Sequence, residues 1–169
     1  DQQEALPLNP KLEIKPVTQT QELITWLNLL NENLFGEEKI KPETFAAVLT
    51  NQNYRLSLAF LDNKPVGTSL LFQENNIAGL YFLSVSRNAR NKGIGSGLVA
   101  YEIQNMVDNE ARTSVLHATK QAENIYKKAG YKSFCIFDIL AHVPTISQWN
   151  MDDKKIKKKI TRVFQEVFE

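Results

Sequence analysis

Alternating hydrophobic and polar residues in the first half of the chain predict β-strands. A short alternating segment, 12–15, is ended by Pro16. Three further segments follow closely on one another, and each join is a turn rich in Asp or Asn. These segments are 54–61, 66–72 and 77–85. Because strands joined by such short turns pair with one another, the pattern predicts an antiparallel meander.

Apolar residues spaced three and four positions apart predict helices before and after this meander. The first helix is expected to begin at a Thr18 or Thr20 cap and to end at 35–36. The other predicted helices are 42–49, 94–107, 120–129 (ended by Gly130) and 151–169, and the later strands are 114–118 and 131–140. Alternation of strand and helix in the second half requires a parallel strand pair. We therefore expect a mixed α/β (α+β) fold.

The bulk properties are those of one ordinary globular domain. The 169 residues are 43% hydrophobic, and a formal net charge of +1 gives no reason to expect nucleic acid as a partner. A single cysteine, Cys135, excludes an intrachain disulfide and favours a cytoplasmic location. No apolar run reaches the roughly 18 residues of a membrane span. We expect a flexible lead-in over 1–10, the domain over 11–150, and an amphipathic helix over 151–169 packed on it.

The strongest indication of chemistry is a glycine-rich turn with the sequence RNKGIGSG at 90–97. It follows a predicted strand and opens a predicted helix, whose first backbone N–H groups lack partners within the helix. Gly93, Gly95 and Gly97 are expected to let an anion approach the backbone, and the basic side chains of the turn add positive charge. The turn lacks the Gly-Lys-Ser/Thr ending of a nucleotide triphosphatase loop. The spacing therefore predicts a pyrophosphate site without nucleotide hydrolysis.

This turn and a second segment resemble two motifs of the GCN5-related N-acetyltransferases, the GNAT family. Arg90 to Gly95 match Arg/Gln-x-x-Gly-x-Gly/Ala. Ala122 to Tyr131 are similar to Ala-x-x-x-Tyr-x-x-x-Gly-Phe, with Tyr131 in place of the phenylalanine. The resemblance implies the GNAT acyl-CoA N-acyltransferase fold, a mostly antiparallel sheet with a splayed parallel central pair flanked by helices.

The resemblance also implies acetyl-CoA as co-substrate and no metal. Backbone amides around 92–96 would hold the pyrophosphate with Arg90 and Lys92 as supporting cations, and the strand at 83–85 would pair with the pantetheine arm. Thr119 stands where many family members have Asn. The implied cofactor-binding residues are Leu83, Val85, Arg90, Asn91, Lys92, Gly93, Ile94, Gly95, Ser96, Thr119, Asn124 and Tyr126.

For catalysis the resemblance implies that the Val85 amide polarises the thioester carbonyl and that Tyr126 protonates the departing thiolate. Some family members use a glutamate on the fourth strand as the base, but 77–86 contains no carboxylate. His117 is the candidate base or substrate contact. The alternative for the base is a water chain, with His117 only a hydrogen-bonded structural histidine. The alternative for Tyr126 is a ring that only packs on the sheet.

The implied function is transfer of the acetyl group of acetyl-CoA to a primary amine of a small molecule or protein. The amine would attack the thioester directly, in a monomer or homodimer. The alternative is a catalytically silent acyl-CoA-binding or protein-interaction domain of the same fold, and one form of this alternative is that the chain is half of a tandem protein. The missing strand carboxylate motivates this alternative.

Overall fold

The computed structural model describes residues 9–35 and 40–136, and all elements below lie within them. The strands are β1 (Leu12–Pro16), β2 (Tyr54–Leu61), β3 (Lys64–Glu74), β4 (Ile77–Val85) and β5 (Thr113–Leu116). The helices are α1 (Thr20–Leu30), α2 (Pro42–Phe45), α3 (Ile94–Asp108) and α4 (Glu123–Lys128). A π-helical turn, Asn31–Phe35, continues α1, and 3-10 turns cover Ala46–Leu49 and Arg87–Ala89.

The five strands form one mixed sheet in the order β1-β2-β3-β4-β5. β1 to β4 pair antiparallel, which confirms the predicted meander. β4 and β5 pair in parallel from Ile77–Thr113 to Leu80–Leu116, which confirms the predicted parallel pair. β5 ends there, whereas β4 continues to Val85. Among the described strands, the end of β4 therefore has a neighbour on one side only, as expected of a splayed pair.

Helices cover both faces of the sheet because neighbouring residues of a strand point to opposite faces. Leu70 of β3 belongs to a hydrophobic cluster with Trp26 and Leu27 of α1. The next residue, Leu71, belongs to a cluster with Val99 of α3. All five side chains are fully buried. α1 and α3 therefore pack on opposite faces, and the sheet lies between two apolar layers.

The start of α1 is fixed by Glu22 rather than by a threonine. The Glu22 carboxylate accepts the backbone N–H of Thr18 at 2.7 Å and that of Gln19 at 3.0 Å, and the first of these bonds is the main reason that its pKa is lowered. Gln19 is the N-cap residue, so the predicted cap at Thr18 or Thr20 is wrong. The helical run ends at Phe35 with the π-turn, and the predicted stop at Gly36 lies outside the described residues.

Gly130 ends α4 as predicted, in the left-handed conformation with φ 93°. The N–H of Gly130 donates to the carbonyl of Lys127 and the N–H of Tyr131 to that of Tyr126, both at 3.0 Å. These two bonds form a Schellman motif, which satisfies carbonyls that the helix itself leaves unpaired. The helix begins at Glu123, three residues later than predicted.

The strand predicted over 131–140 is wrong where the structure describes it, because 131–136 forms no strand. Phe134 is 92% exposed and Ile136 is 96% exposed. Phe134 and Ile136 belong to the apolar run that predicted the strand, and neither is buried. Residues 137–140, the helix predicted over 151–169 and the first eight residues of the lead-in lie outside the described ranges, and those boundaries stay predictions.

Candidate functional site

The open half of β4, residues 81–85, directs one backbone amide to the free side of the strand. The Ser86 N–H donates to the Val66 carbonyl of β3 at 2.8 Å. Because alternate residues of an antiparallel ladder direct their polar groups to opposite sides, Val85 directs its N–H and C=O away from β3. Arg90 Nε donates to the Val85 carbonyl from that side at 3.3 Å. The Val85 amide is therefore placed to meet an extended ligand or a carbonyl oxygen.

A bulge marks the point where β4 loses its parallel neighbour. The register with β3 shifts between Thr68 and Leu70, and Phe82 has φ 49°, an unusual conformation for a bulky residue. The Thr68 hydroxyl donates to the Phe82 carbonyl at 2.9 Å and lies 2.7 Å from Ser84 Oγ. Buried hydroxyls thus hold the bend that separates the two halves of β4.

An apolar cavity of about 400 Å³ lies beside this bulge. Its walls come from the end of α2, the 3-10 turn that follows it, and β2, β3 and β4. They include Phe45, Val48, Tyr54, Phe72, Tyr81 and Phe82. The rings of Phe45 and Phe82 meet edge to face at 5.9 Å between centroids. The described lining residues carry no charged group, so the cavity suits an apolar ligand group.

The glycine-rich turn enters α3 through two residues with positive φ. Asn91 has φ 59°, and Gly93, the N-cap residue, has φ 76°. The Gly97 N–H donates to the Gly93 carbonyl at 2.9 Å, so the preceding amides of the first turn have no partner within the helix. The side chains of Arg90 and Lys92 are exposed beside them. Free amides at a helix N-terminus next to two cations are an arrangement that can bind an anion.

At the other two glycines of the turn, neighbouring side chains leave little or no room for a Cβ. A Cβ on Gly97 would collide with the side chain of Leu12 in β1. A Cβ on Gly95 would lie 3.3 Å from Ile125 Cδ1 of α4 and 3.9 Å from Val85 Cγ2. The expectation that all three glycines open the backbone to an anion is thus wrong for Gly97, which is buried against β1. Gly95 instead shows that the turn, the end of β4 and α4 meet at one place.

Asn9 is a contact of the turn that the sequence did not indicate. Its Nδ2 donates to the Lys92 carbonyl at 2.9 Å, and its Oδ1 accepts the Lys11 N–H at 2.9 Å. Asn9 lies in the segment predicted to be a flexible lead-in. A separation of 83 residues leaves no local signal for this bond.

Tyr126 lies on α4 with its ring buried among Leu80 of β4, Met106 of α3 and their neighbours. It is 7% exposed and meets Tyr131 edge to face at 5.9 Å between ring centroids. Burial, with a smaller contribution from Tyr131, raises the pKa of Tyr126 to about 12. The hydroxyl has no hydrogen-bond partner among the described residues, so it is a protonated donor without an internal acceptor there.

The remaining predicted residues differ in their surroundings. Thr119 uses its carbonyl and its Oγ1 to accept the Ala122 N–H at 3.0 and 3.2 Å, which shapes the turn before α4 and leaves the hydroxyl proton free to donate. Asn124 is exposed on α4, and His117 is exposed directly after β5.

The side chain of Ile94 is 1% exposed in the core, so only its backbone could meet a ligand. Leu83 is half-buried, and Ser96 is buried.

No helix within 9–35 and 40–136 is both long and apolar enough to cross a membrane. In the same part of the chain, no three His, Cys, Asp or Glu side chains group as metal ligands.

The chain matches known proteins at the level of family and fold. The profile of the acetyltransferase (GNAT) domain matches residues 16–135, whereas no curated protein sequence matches significantly. An aminoglycoside acetyltransferase from an uncultured soil metagenomic sample, solved with trehalose, superposes with TM-score 0.67 at 19% identity over 79% of this chain and 97% of that one.

Two other solved structures are similar to the same extent. Glucosamine-6-phosphate N-acetyltransferase from Arabidopsis thaliana gives TM-score 0.65 at 12% identity over 77% of this chain and 97% of that one. A predicted acetyltransferase from Clostridium acetobutylicum, solved with acetyl-CoA, gives 0.62 at 14% identity over 77% and 96%. At these identities the likeness establishes the fold alone.

Proposed function

We propose that this chain, which belongs to the GNAT acetyltransferase family, is an N-acetyltransferase that transfers the acetyl group of acetyl-CoA to a primary amine. The single observation that carries the proposal is the meeting of the glycine-rich turn with the open half of β4 at Gly95 and Val85. A diphosphate on the turn and an extended arm along β4 would then form one continuous path. That path ends at a backbone donor aimed at the thioester.

The chain's own groups fit such a ligand. The amides of 94–96 and the exposed side chains of Arg90 and Lys92 would bind the diphosphate. Backbone groups on the open side of β4, the Val85 N–H among them, would pair with the pantetheine arm, and the Val85 carbonyl already accepts a hydrogen bond from Arg90. The Thr119 hydroxyl and the Asn124 side chain would add polar contacts from the α4 side.

In the proposed reaction, the amine nitrogen forms a bond to the thioester carbon, and the C–S bond then breaks. The Val85 N–H donates to the carbonyl oxygen as negative charge develops on it. Thiols have a pKa near 8.5, roughly three units below that of Tyr126. Tyr126 would therefore stabilise the departing thiolate by donating a hydrogen bond, while the proton released by the amine neutralises the sulfur.

His117 is the proposed base that takes the first proton, from the ammonium form of the acceptor before it attacks, whereas the second amine proton goes to the sulfur. It follows β5, the strand that flanks the opening beside β4, and its side chain is exposed. An exposed imidazole at this edge could exchange its proton with water after each turnover. The cytoplasmic location and the monomeric or homodimeric state stay predictions.

The second candidate is a domain that binds acyl-CoA without turnover. It is favoured by the absence of any carboxylate in β4, where some relatives carry their base. Calorimetry with acetyl-CoA and a thiol-release assay over a panel of amines separate the two. Binding with amine-dependent thiol release supports the transferase. Binding without release over every amine supports the silent domain, and no binding at millimolar acetyl-CoA refutes both.

A further inference from the structure

We propose that the cavity beside the Phe82 bulge binds an apolar, aromatic part of the acceptor amine, so that the substrate class is aryl-alkyl amines. This inference rests on the proposed transferase function. The cavity measures about 400 Å³, enough for a phenyl ring with a short chain, and its described walls are aliphatic and aromatic. Aromatic walls bind an aromatic ring through edge-to-face and stacked contacts, with ring centroids at roughly 4.5–7 Å.

The cavity is placed correctly for such an acceptor. Tyr81 and Phe82, which line it, are the first two residues of β4 beyond the last pair with β5, Leu80–Leu116. Val85 follows three residues later, about 10 Å along a strand at roughly 3.3 Å per residue. A ring in the cavity could therefore carry its amine on a spacer of two to four carbons towards the Val85 amide.

The uncharged walls of the cavity argue against a polycationic acceptor. The several ammonium groups of such an acceptor would lose hydration on entering the cavity, and the described lining residues include no carboxylate to pair with them. A polycationic aminoglycoside is therefore the competing substrate class that a test must include.

The test measures kcat/KM at saturating acetyl-CoA for 2-phenylethylamine, 4-phenylbutylamine, butylamine and an aminoglycoside. We expect each aryl amine to exceed butylamine by at least about tenfold, with the aminoglycoside slowest. Val48→Phe narrows the cavity and should lower kcat/KM for the aryl amines several-fold more than for butylamine. Val107→Phe, the same change at a 62% exposed position of α3, is the matched control. Preference for the aminoglycoside, or an equal loss for aryl and alkyl amines in Val48→Phe, would overturn the proposal.

Binding of the product N-acetyl-2-phenylethylamine, measured by ligand-detected NMR in the presence of CoA, separates this inference from the proposed function. Binding that Val48→Phe weakens, without turnover of any amine, supports the cavity assignment and refutes the transferase. Turnover of other amines without such binding refutes the cavity assignment alone.

A different observation carries a second inference: the geometry points to Asn9 as a positioning residue of the glycine-rich turn. Both ends of its side-chain amide are hydrogen-bonded, one to the Lys92 carbonyl and one to the Lys11 N–H. A trans peptide directs its C=O and N–H oppositely, so holding the Lys92 carbonyl on the Asn9 side turns the Gly93 N–H to the other side. Asn9 thereby removes a carbonyl that would repel a diphosphate and presents an amide instead.

The packing of the neighbouring residues keeps Asn9 in place. The Leu12 N–H donates to the Asn9 carbonyl at 3.0 Å, and the side chain of Leu12 fills the space that Gly97 leaves open at α3. The start of β1 is therefore docked directly under the first turn of α3. This inference also rests on the proposed function, since it assigns the turn to the diphosphate of acetyl-CoA.

Asn9→Ala and Asn9→Asp should each raise the KM for acetyl-CoA about tenfold and leave kcat within twofold, because only the anion contact weakens. S-acetylpantetheine, which lacks the diphosphate, should give unchanged kinetics in both variants. Asn28→Ala, at an exposed position of α1 on the opposite face of the sheet, is the matched control. Equal losses on both acetyl donors, or an unchanged KM for acetyl-CoA, would overturn the assignment. Absence of acetyl-CoA binding in the wild type would instead refute the function on which it rests.

Discussion

The two halves of β4 belong to one strand but serve different purposes. The paired half, residues 77–80, has a neighbouring strand on each side, and Ala78, Gly79 and Leu80 are buried. The open half, 81–85, begins at the bulge and has β3 alone beside it among the described strands. The paired half uses its backbone groups for the sheet, whereas the open half leaves the Val85 N–H without a strand partner on one side among the described strands. If the open half binds the ligand as proposed, stability and activity depend on different halves of one strand, and mutations should separate them.

The largest effect on activity is expected for Val85→Pro in the open half. Proline lacks the N–H that the reaction would use, and that N–H points away from β3, so the ladder should lose little. Removal of one oxyanion donor lowers kcat by roughly 100- to 1,000-fold. Steady-state kinetics measure this loss, and Val85→Ala, which keeps the amide, is the control. A folded Val85→Pro variant that keeps kcat within about threefold would contradict the role of the amide.

In the paired half, Leu80→Ala should instead lower the free energy of unfolding. Leu80 is 3% exposed in the cluster under α3, and truncation of a buried leucine lowers the free energy of unfolding by about 3 kcal/mol. Urea unfolding measures the loss, while kcat of the folded fraction should stay unchanged. Ile77→Ala, in the same half but 52% exposed, should cost under about 1 kcal/mol. If Leu80→Ala lowered kcat as strongly as stability, the two halves would not be separable.

Tyr126→Phe tests whether a buried ring beside the paired half also acts at the open one. We expect kcat to fall by roughly 10- to 100-fold through loss of the hydrogen bond to the thiolate, with little change in thermal stability. Because burial raises the pKa of Tyr126 to about 12, its hydroxyl stays protonated and no alkaline limb from this group appears between pH 6 and 9. Tyr101→Phe on α3 is the matched control. Unchanged kcat would leave Tyr126 a packing residue.

The smallest expected effect concerns Glu102, a fully buried carboxyl of α3 against β3. It accepts a hydrogen bond from Ser69 Oγ at 2.6 Å and one from Asn105 Nδ2 at 3.1 Å. Burial raises its pKa despite these bonds, a bond from Ser57 and the nearby charge of Arg55.

A raised pKa in the folded state means that Glu102 contributes stability below its unfolded pKa and loses that contribution as pH rises through the folded pKa. Glu102→Gln should therefore gain stability relative to the wild type as pH increases from 4.5 to 8. Urea unfolding of both proteins across this range measures the difference. The pH dependence of kcat should be the same in Glu102→Gln and in the wild type. A gain in stability of Glu102→Gln over the wild type that shrinks as pH rises would contradict the raised pKa of Glu102.

Much of the fold follows from local patterns. The strands of the meander and α3 appear close to their predicted bounds, because alternation and three-to-four spacing report directly on which face is buried. The predicted threonine cap of α1 is wrong because the Glu22 carboxylate accepts the backbone N–H groups of Thr18 and Gln19. The side chain that satisfies these donors therefore lies inside the helix and not before it. The strand prediction is wrong over 131–136 because an apolar run becomes a strand only where a neighbouring strand offers its edge.

The candidate site divides in the same way. The turn at 90–97 and the block at 122–131 could be predicted because each is a contiguous motif. The Asn9–Lys92 bond, the cavity beside Phe82 and the packing of Leu12 on Gly97 join residues distant in the chain, and no local pattern reports such contacts.

By itself the sequence determined the family, the order of elements and the glycine turn, since these depend on residue spacing within a few turns of chain. The tertiary structure alone decided that β5 stops at Leu116 while β4 runs on to Val85. That difference in length frees the backbone groups of the open half. Unpaired backbone groups arise from what lies beside a strand, which is a property of the assembled sheet.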